Sequence, residues 1–287
     1  MAIDIGGTKL AVGLVDENGR VLTQQRAKTV VDDPWPGLAA LVGDVLASAP
    51  KPGVAPQPSV VGVGTGGPMT AGGELVSPLN IAGWRDFPLR THLAELTRLP
   101  VFIDNDAKAL ALGEGWLGAA RGCRNFIGMV VSTGVGGGIV LDGRLLDGAD
   151  GNAGHIGHVI VEPDGRACAC GGRGCLEGET SGLAIAAITG RPAAEAPPDI
   201  VERAGRLVGR AVASVCNLLD LRLAVVAGSV ALGYGAPFFA AAQRELDERA
   251  RIEFARGARI VPAGLGADAA LIGAAAVGWR GLGRDLW

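Results

Sequence analysis

Aromatic side chains are scarce in this 287-residue chain, where one Tyr, six Phe and five Trp make up 4% of the residues. With 48% hydrophobic residues and 47 Gly, the composition suits an α/β protein packed by Ala, Val and Leu around many tight loops, and excludes a disordered chain. An excess of one charge is also missing. The formal net charge is −3 and no run is rich in Lys or Arg, which argues against nucleic acid as a partner. Long apolar runs are absent too. The stretch Ala267 to Val277 is short and broken by Gly, so no membrane span is expected. Met1 leads almost directly into the first predicted strand, leaving no room for a signal peptide. Cysteine is present five times, an odd number, with three crowded into residues 168–175. That pattern fits a metal knuckle in a reducing cytoplasm rather than a disulfide framework.

What the chain does have is a matched pair of glycine-rich hairpins. The first reads Asp4-Ile5-Gly6-Gly7-Thr8-Lys9, then the apolar run Leu10 to Val15, Asn18-Gly19, and Arg20-Val21-Leu22. The second reads Ser132-Thr133-Gly134-Val135-Gly136-Gly137-Gly138, then Ile139-Val140-Leu141, Asp142-Gly143, and Arg144-Leu145-Leu146. Asn-Gly and Asp-Gly pairs are hairpin turn signals because they tolerate positive φ. Glycine loops let backbone N–H groups approach an anion, and Thr adds a hydroxyl donor. Neither loop runs into a helix, as a dinucleotide fingerprint or P-loop would. Either these are two ordinary β-turns, or a duplicated architecture grips a nucleotide triphosphate between two lobes. The pairing favours the second reading.

The rest of the chain alternates strands and helices, predicting α/β lobes with mixed sheets. Strands are expected at Ala2 to Ile5, Leu10 to Val15, Arg20 to Ala27, Val60 to Val63, Leu99 to Ile103, Phe126 to Val131, Leu223 to Ala227 and Ile260-Val261. Helices are expected through Leu38, Leu41, Val42, Val45 and Leu46, from Ala107 to Trp116, from Ile200 to Leu219, after Ala227, and from about Ala267. Pro50 to Pro58 and Ile188 to Asp199 read as exposed connections. The expected division is an N-terminal lobe, 1–107, completed by a C-terminal helix at 272–287, and a second lobe, 108–271.

Two constellations carry chemistry. Asp104-Asn105-Asp106 falls where a strand ends and a helix begins, the usual ligand position in α/β sheets. Asp106 is either a helix cap or the base that accepts a hydroxyl proton in phosphoryl transfer. Asn105 offers both donor and acceptor to sugar hydroxyls. The second constellation is Cys168, Cys170 and Cys175 with a histidine. His158 is the preferred fourth ligand and His155 the alternative. Three thiolates and one imidazole satisfy tetrahedral Zn²⁺ and leave no open position, so the zinc would be structural. Cys123 and Cys216 read as small core residues, and His92 as a surface or cap histidine. Gly228-Ser229, after the strand ending at Ala227, is a weaker candidate for the adenine side of a nucleotide site.

With these motifs the chain resembles the ROK family of sugar kinases and repressors over nearly its whole length. The resemblance implies a two-lobed actin-like, ribonuclease H-like ATPase fold with the ligand cleft between lobes. Asp4 to Lys9 (Asp4, Gly6, Gly7, Thr8, Lys9) looks like the first phosphate loop, and Thr133, Gly134, Gly136 and Gly137 like the second, with Gly228 on the nucleotide side. Asp106 matches the catalytic base and Asn105 a sugar ligand. Gly66 and Gly67, with Pro68, resemble the loop behind the sugar, and Asn80 with Gly83-Trp84 the following segment. Gly154-His155-Ile156-Gly157-His158 through Cys175-Leu176-Glu177 is similar to the family signature, in which His158 and the three cysteines hold zinc while His158 and Glu177 line the sugar site. The family usually has Glu where this chain has His155. A carboxylate only accepts from hydroxyls, whereas neutral imidazole can also donate. The implied protein is a cytoplasmic homodimer that transfers phosphate from ATP, with Mg²⁺, to the 6-hydroxyl of a hexose. Glucose is the default, and an amino sugar, N-acetylmannosamine or a C7-cyclitol the alternative. A silent sugar-binding regulator is the alternative of another class. No helix-turn-helix segment like that of the family's repressors is seen.

Overall fold

The computed structural model describes residues 1–49 and 57–287, so most of the Pro-rich connection expected at 50–58 lies outside the described residues. Along the chain run β1 (Ala2–Ile5), β2 (Lys9–Val15), β3 (Val21–Lys28), α1 (Trp35–Ala47), β4 (Val61–Thr65), α2 (Leu89–Thr97), β5 (Val101–Asn105) and α3 (Asp106–Trp116). Then come β6 (Phe126–Val131), β7 (Val135–Leu141), β8 (Arg144–Leu145), α4 (Leu176–Thr180), α5 (Gly182–Thr189) and α6 (Pro198–Leu219). The last elements are β9 (Leu223–Ala227), α7 (Ser229–Tyr234), α8 (Ala236–Arg249), β10 (Arg259–Pro262) and α9 (Ala269–Gly281). They form two compact units. One comprises Met1–Leu117, Asp147–Ala153 and Leu265–Trp287; the other comprises Gly118–Leu146 and Gly154–Gly264.

The first unit is built on a five-stranded sheet of order β3-β2-β1-β4-β5. β1 is antiparallel to β2 and parallel to β4, which is parallel to β5. On one face Ile3, Ile5, Leu10, Val12 and Val63 pack with Leu38, Val42 and Val45 of α1 and Leu89 and Leu93 of α2. The helical spacing of the α1 residues is what places them on one stripe. On the opposite face, Ala2 and Ala11 meet Leu271, Ala274 and Ala275 of α9. This contact is close: a Cβ on Gly62 would stand 2.0 Å from the Ala274 carbonyl oxygen and 2.5 Å from the Gly278 nitrogen. Glycine at 62 therefore sets the distance between helix and sheet.

The second unit holds the sheet β10-β9-β6-β7-β8. Here β6 is antiparallel to β7 and parallel to β9, which is parallel to β10. Taken from the β8 edge, this is the order of the first sheet: an antiparallel meander continued by two parallel strands. The two glycine hairpins occupy equivalent places, β1-β2 and β6-β7. One continuous core joins Ile127, Met129, Val131, Ala224 and Val226 to Leu207, Val208, Ala211 and Val212 of α6.

Several local expectations change. In the second hairpin Asp142 (φ 51°) and Gly143 (φ 73°) both have the positive φ of a two-residue turn. In the first hairpin only Gly19 does, because Asp16 Oδ1 accepts the N–H groups of Asn18 and Arg20, both at 2.9 Å, and widens the loop. Gly136, Gly137 and Gly138 belong to β7 rather than to its loop, pairing with Val130, Met129 and Gly128. The exposed connection begins only after Gly190, the left-handed C-cap of α5. Thr189 and Ile188 are the last turn of that helix, whose apolar sequence shows no one-sided pattern. Cys216 is a core residue, as expected. His92 is more than a surface group: its Nδ1 lies 2.9 Å from the Pro88 carbonyl oxygen, and its ring packs edge-on against Trp35 at 5.0 Å.

Candidate active site

In the first unit, the carboxyl ends of β1, β4 and β5 bring separate sequence motifs together. β5 delivers Asp104 and Asn105, and α3 begins at Asp106. Asn105 is the N-cap: its side chain accepts from the Ala107 N–H at 3.0 Å, and Asp106 Oδ1 accepts from the same group at 2.8 Å. The cap role is thus carried mainly by Asn105, leaving Asp106 exposed at the helix start. Asp4, at the end of β1, faces the same region. Burial, and then the Asp106 carboxylate, push its pKa up to about 6 against the pull of Lys9 and Arg26.

Loop Gly6-Gly7-Thr8 is closed by Gly6 N–H donating to the Lys9 carbonyl at 3.0 Å and held by the Thr29 hydroxyl donating to the Gly6 carbonyl at 2.6 Å. Asn80 lies against this loop. A Cβ on Gly7 would stand 2.8 Å from the Asn80 side chain, and one on Gly66 would stand 3.5 Å from Asn80 Oδ1. Gly67 is beside Asn105, whose Nδ2 would lie 3.9 Å from an added Cβ. Gly7, Gly66, Gly67, Asn80 and Asn105, scattered over the sequence, are therefore neighbours. Thr8 and Lys9 are exposed at the loop tip.

The second unit gathers its own set. Glu177 Oε2 accepts the Val135 N–H at 2.8 Å and would stand 2.8 Å from a Cβ on Gly134. The resemblance placed Glu177 only at the sugar; it also braces the second glycine loop, whose tip is Ser132-Thr133-Gly134. The Ser132 and Ser229 hydroxyls lie 2.9 Å apart, joining this loop to the Gly228-Ser229 turn. Gly228 has φ 100°, and a Cβ there would stand 2.2 Å from the Val131 carbonyl oxygen, so only glycine fits. The sequence named Gly228-Ser229 as a turn, but the contact of Ser229 with Ser132 is long-range and has no sequence signal. Gly137 and Gly154 also meet backbone to backbone, which explains why glycines persist inside β7.

His158, Cys168, Cys170 and Cys175 converge, with their ligand atoms within 4.8 Å of one another. Cys168 Sγ is 3.8 Å from His158 Nδ1, and Cys170 Sγ is 3.7 Å from Cys175 Sγ. A tetrahedral zinc with Zn–S bonds of about 2.3 Å has sulfur–sulfur edges of roughly 3.8 Å, so the donor set fits that ion. Before a metal displaces its proton, burial pushes the Cys175 thiol up to about 12, whereas the Gly172 backbone and the neighbouring thiols hold Cys170 below the usual thiol range. His155 is outside the four; its ring lies 6.2 Å from that of His158 and nearly parallel to it.

Known proteins resemble this chain along nearly its whole length. The ROK family profile covers residues 1–279. The chain belongs to the ROK family. An N-acetylmannosamine kinase of Haemophilus influenzae is 34% identical over 290 residues, covering 96% of this chain and 93% of that protein. A glucokinase of Thermotoga maritima is 39% identical over 187 residues, 64% of this chain and 58% of that protein. The solved ROK glucokinase of Streptomyces griseus, in complex with glucose and AMPPNP, is 29% identical with a TM-score of 0.80, covering 97% of this chain and 98% of that one. The fold of this ROK chain is that of the actin-like ATPases, as the family resemblance implied. Among the described residues, no helix is long and apolar enough to cross a membrane.

Proposed function

We propose that this chain is an ATP-dependent kinase that phosphorylates the 6-hydroxyl of a hexose, with glucose as the default substrate. The observation that carries the reading is Asp106, exposed at the start of α3 with Asn105, Gly66, Gly67 and Asn80 gathered beside it. Asp106 takes the proton of the attacking hydroxyl, and Asn105 and Asn80 orient the sugar. Gly6, Gly7, Thr8 and Lys9 on one unit, and Thr133, Gly134, Gly136, Gly137 and Gly228 on the other, are assigned to the nucleotide. Within these loops the Gly6 N–H is engaged by the Lys9 carbonyl, and the N–H of Val135, between Gly134 and Gly136, by Glu177. The Thr8 and Thr133 tips are therefore the main donors. ATP with Mg²⁺ supplies the phosphoryl group and neutralises its charge. His158, Cys168, Cys170 and Cys175 would hold a structural zinc, which would fix the loop that carries Glu177.

A second reading, a kinase for N-acetylmannosamine, another amino sugar or a C7-cyclitol, is favoured by His155 in place of the usual Glu. A coupled ADP-release assay over glucose, mannose, N-acetylmannosamine and a cyclitol, with ATP and polyphosphate as donors, tests both. Turnover with none of them would leave a silent sugar-binding protein as the better reading. Light scattering tests the homodimer that the family resemblance implies.

A further inference from the structure

Lys108, on the first turn of α3, is 2% exposed, an unusual place for an ammonium group. Its three protons have three acceptors: Asp104 Oδ1 at 2.9 Å, Asp147 Oδ1 at 3.0 Å and the Gly151 carbonyl at 3.0 Å. Arg280 of α9 adds contacts to Asp147 Oδ2 at 2.7 Å and Asp104 Oδ2 at 3.4 Å. Two of the three acceptors of Lys108 thus sit on the short segment Asp147–Ala153, which packs with the first unit although both flanking stretches belong to the second. The segment reads Asp-Gly-Ala-Asp-Gly-Asn-Ala, and none of its residues is buried. Gly148 (φ 77°) and Gly151 (φ 82°) lie in the left-handed region. Apolar burial cannot hold such a stretch, so its polar contacts must. Gly154 and His155 follow it directly, and Asp104 and Lys108 bracket Asn105 and Asp106.

We propose that Lys108 and Asp147 form a clasp that fixes the Asp147–Ala153 segment, making Lys108 a positioning residue for sugar binding. The clasp ties the strand end that presents Asn105 and Asp106 to the backbone that leads into His155, a role that rests on the kinase reading above. Lys108→Met would strand the buried Asp104 carboxylate, so the informative variant is Asp147→Ala, which leaves Lys108 and Asp104 paired. Its amides at 148–153 should exchange at least about tenfold faster than in the wild type. Its sugar KM should rise by roughly five- to twentyfold, with ATP KM and kcat within about twofold of wild type, and Asp147→Glu should recover most of the loss. A merely structural ion pair would lower Tm and leave the sugar KM unchanged. Wild-type exchange at 148–153, or a wild-type sugar KM, in Asp147→Ala overturns the proposal. If the wild-type chain phosphorylates no sugar, the kinase reading fails by itself, and exchange with calorimetric sugar binding still judges the clasp.

Discussion

The sheets of the two units share one strand order, yet their glycine hairpins are braced by different chemistry. The β1-β2 loop is held by a neutral group, the Thr29 hydroxyl, and lies against the Asn80 side chain. The β6-β7 loop is held by a carboxylate, Glu177, which stands two residues after Cys175 of the Cys/His cluster. The first unit places its ionisable chemistry at the end of the fifth strand, where Asn105 and Asp106 open α3. The second has no carboxylate at the corresponding end of β10, Arg259–Pro262, and instead carries the Cys/His loop in the crossover between its third and fourth strands. One strand order thus carries two different arrangements: carboxylates at a helix start in one unit, and a Cys/His loop beside the glycine hairpin in the other.

The sharpest test of this contrast is Asp106→Asn. Asn105 keeps the cap of α3, so the fold should survive while kcat falls by roughly 10²–10⁴-fold, the usual contribution of a general base. Turnover within about threefold of wild type in a coupled ADP-release assay would remove Asp106 from the chemistry. The second test strikes the other unit. Freshly purified protein should carry about one zinc per chain by elemental analysis, and Cys170→Ser should lose it. Loss of the ion should lower Tm by roughly 5–10 °C and depress activity through the Glu177–Val135 contact, whereas Asp106→Asn should leave the metal content intact.

His155→Glu comes next. Charge-assisted hydrogen bonds contribute about 1.5–3 kcal/mol, so the ratio of kcat/KM values should move at least about tenfold toward glucose and away from N-acetylmannosamine. An unchanged ranking over the sugar panel would mean that His155 does not read the substrate. The smallest effect is expected from Asp4→Asn. The folded state holds the Asp4 proton up to about pH 6, compared with 3.8 normally, so stability from this group is present at low pH and lost as pH rises through that window. The variant should therefore melt about 2–4 °C higher than wild type at pH 8, and the gain should shrink as pH falls below about 6 and vanish below 3.8. Equal melting temperatures at pH 8 would show that Asp4 carries no burial penalty.

Strands Phe126–Val131 and Leu223–Ala227 are legible in the sequence to the residue, because uninterrupted apolar runs between polar turns leave little choice of boundary. The four metal-ligand candidates are legible for a similar reason: a tight Cys spacing has few other uses. Gly136 to Gly138 mislead, since a glycine run reads as a loop, and the close approach of Gly137 to Gly154 that requires it inside β7 is a long-range fact. α5 is missed because Gly182 to Thr189 is nearly all apolar and small, so no periodicity marks one face. Lys108 is missed most completely. Spaced four residues from Asp104 on a helix start, it reads as an ordinary solvated pair, and only the tertiary structure shows it enclosed. The gathering of Gly7, Gly66 and Asn80 is likewise invisible to spacing, because sheet order, not sequence distance, makes them neighbours.

The close seating of α9 on the first sheet has a consequence for biosynthesis. The face formed by Ala2, Ala11 and Gly62 is covered by α9, from the last tenth of the chain. During synthesis at about 5–20 residues/s, that face waits on the order of ten to forty seconds after its own strands have emerged from the ribosome. For that interval the first unit is an unfinished product, exposed to chaperones and proteases. A premature stop before residue 269 would leave it so permanently.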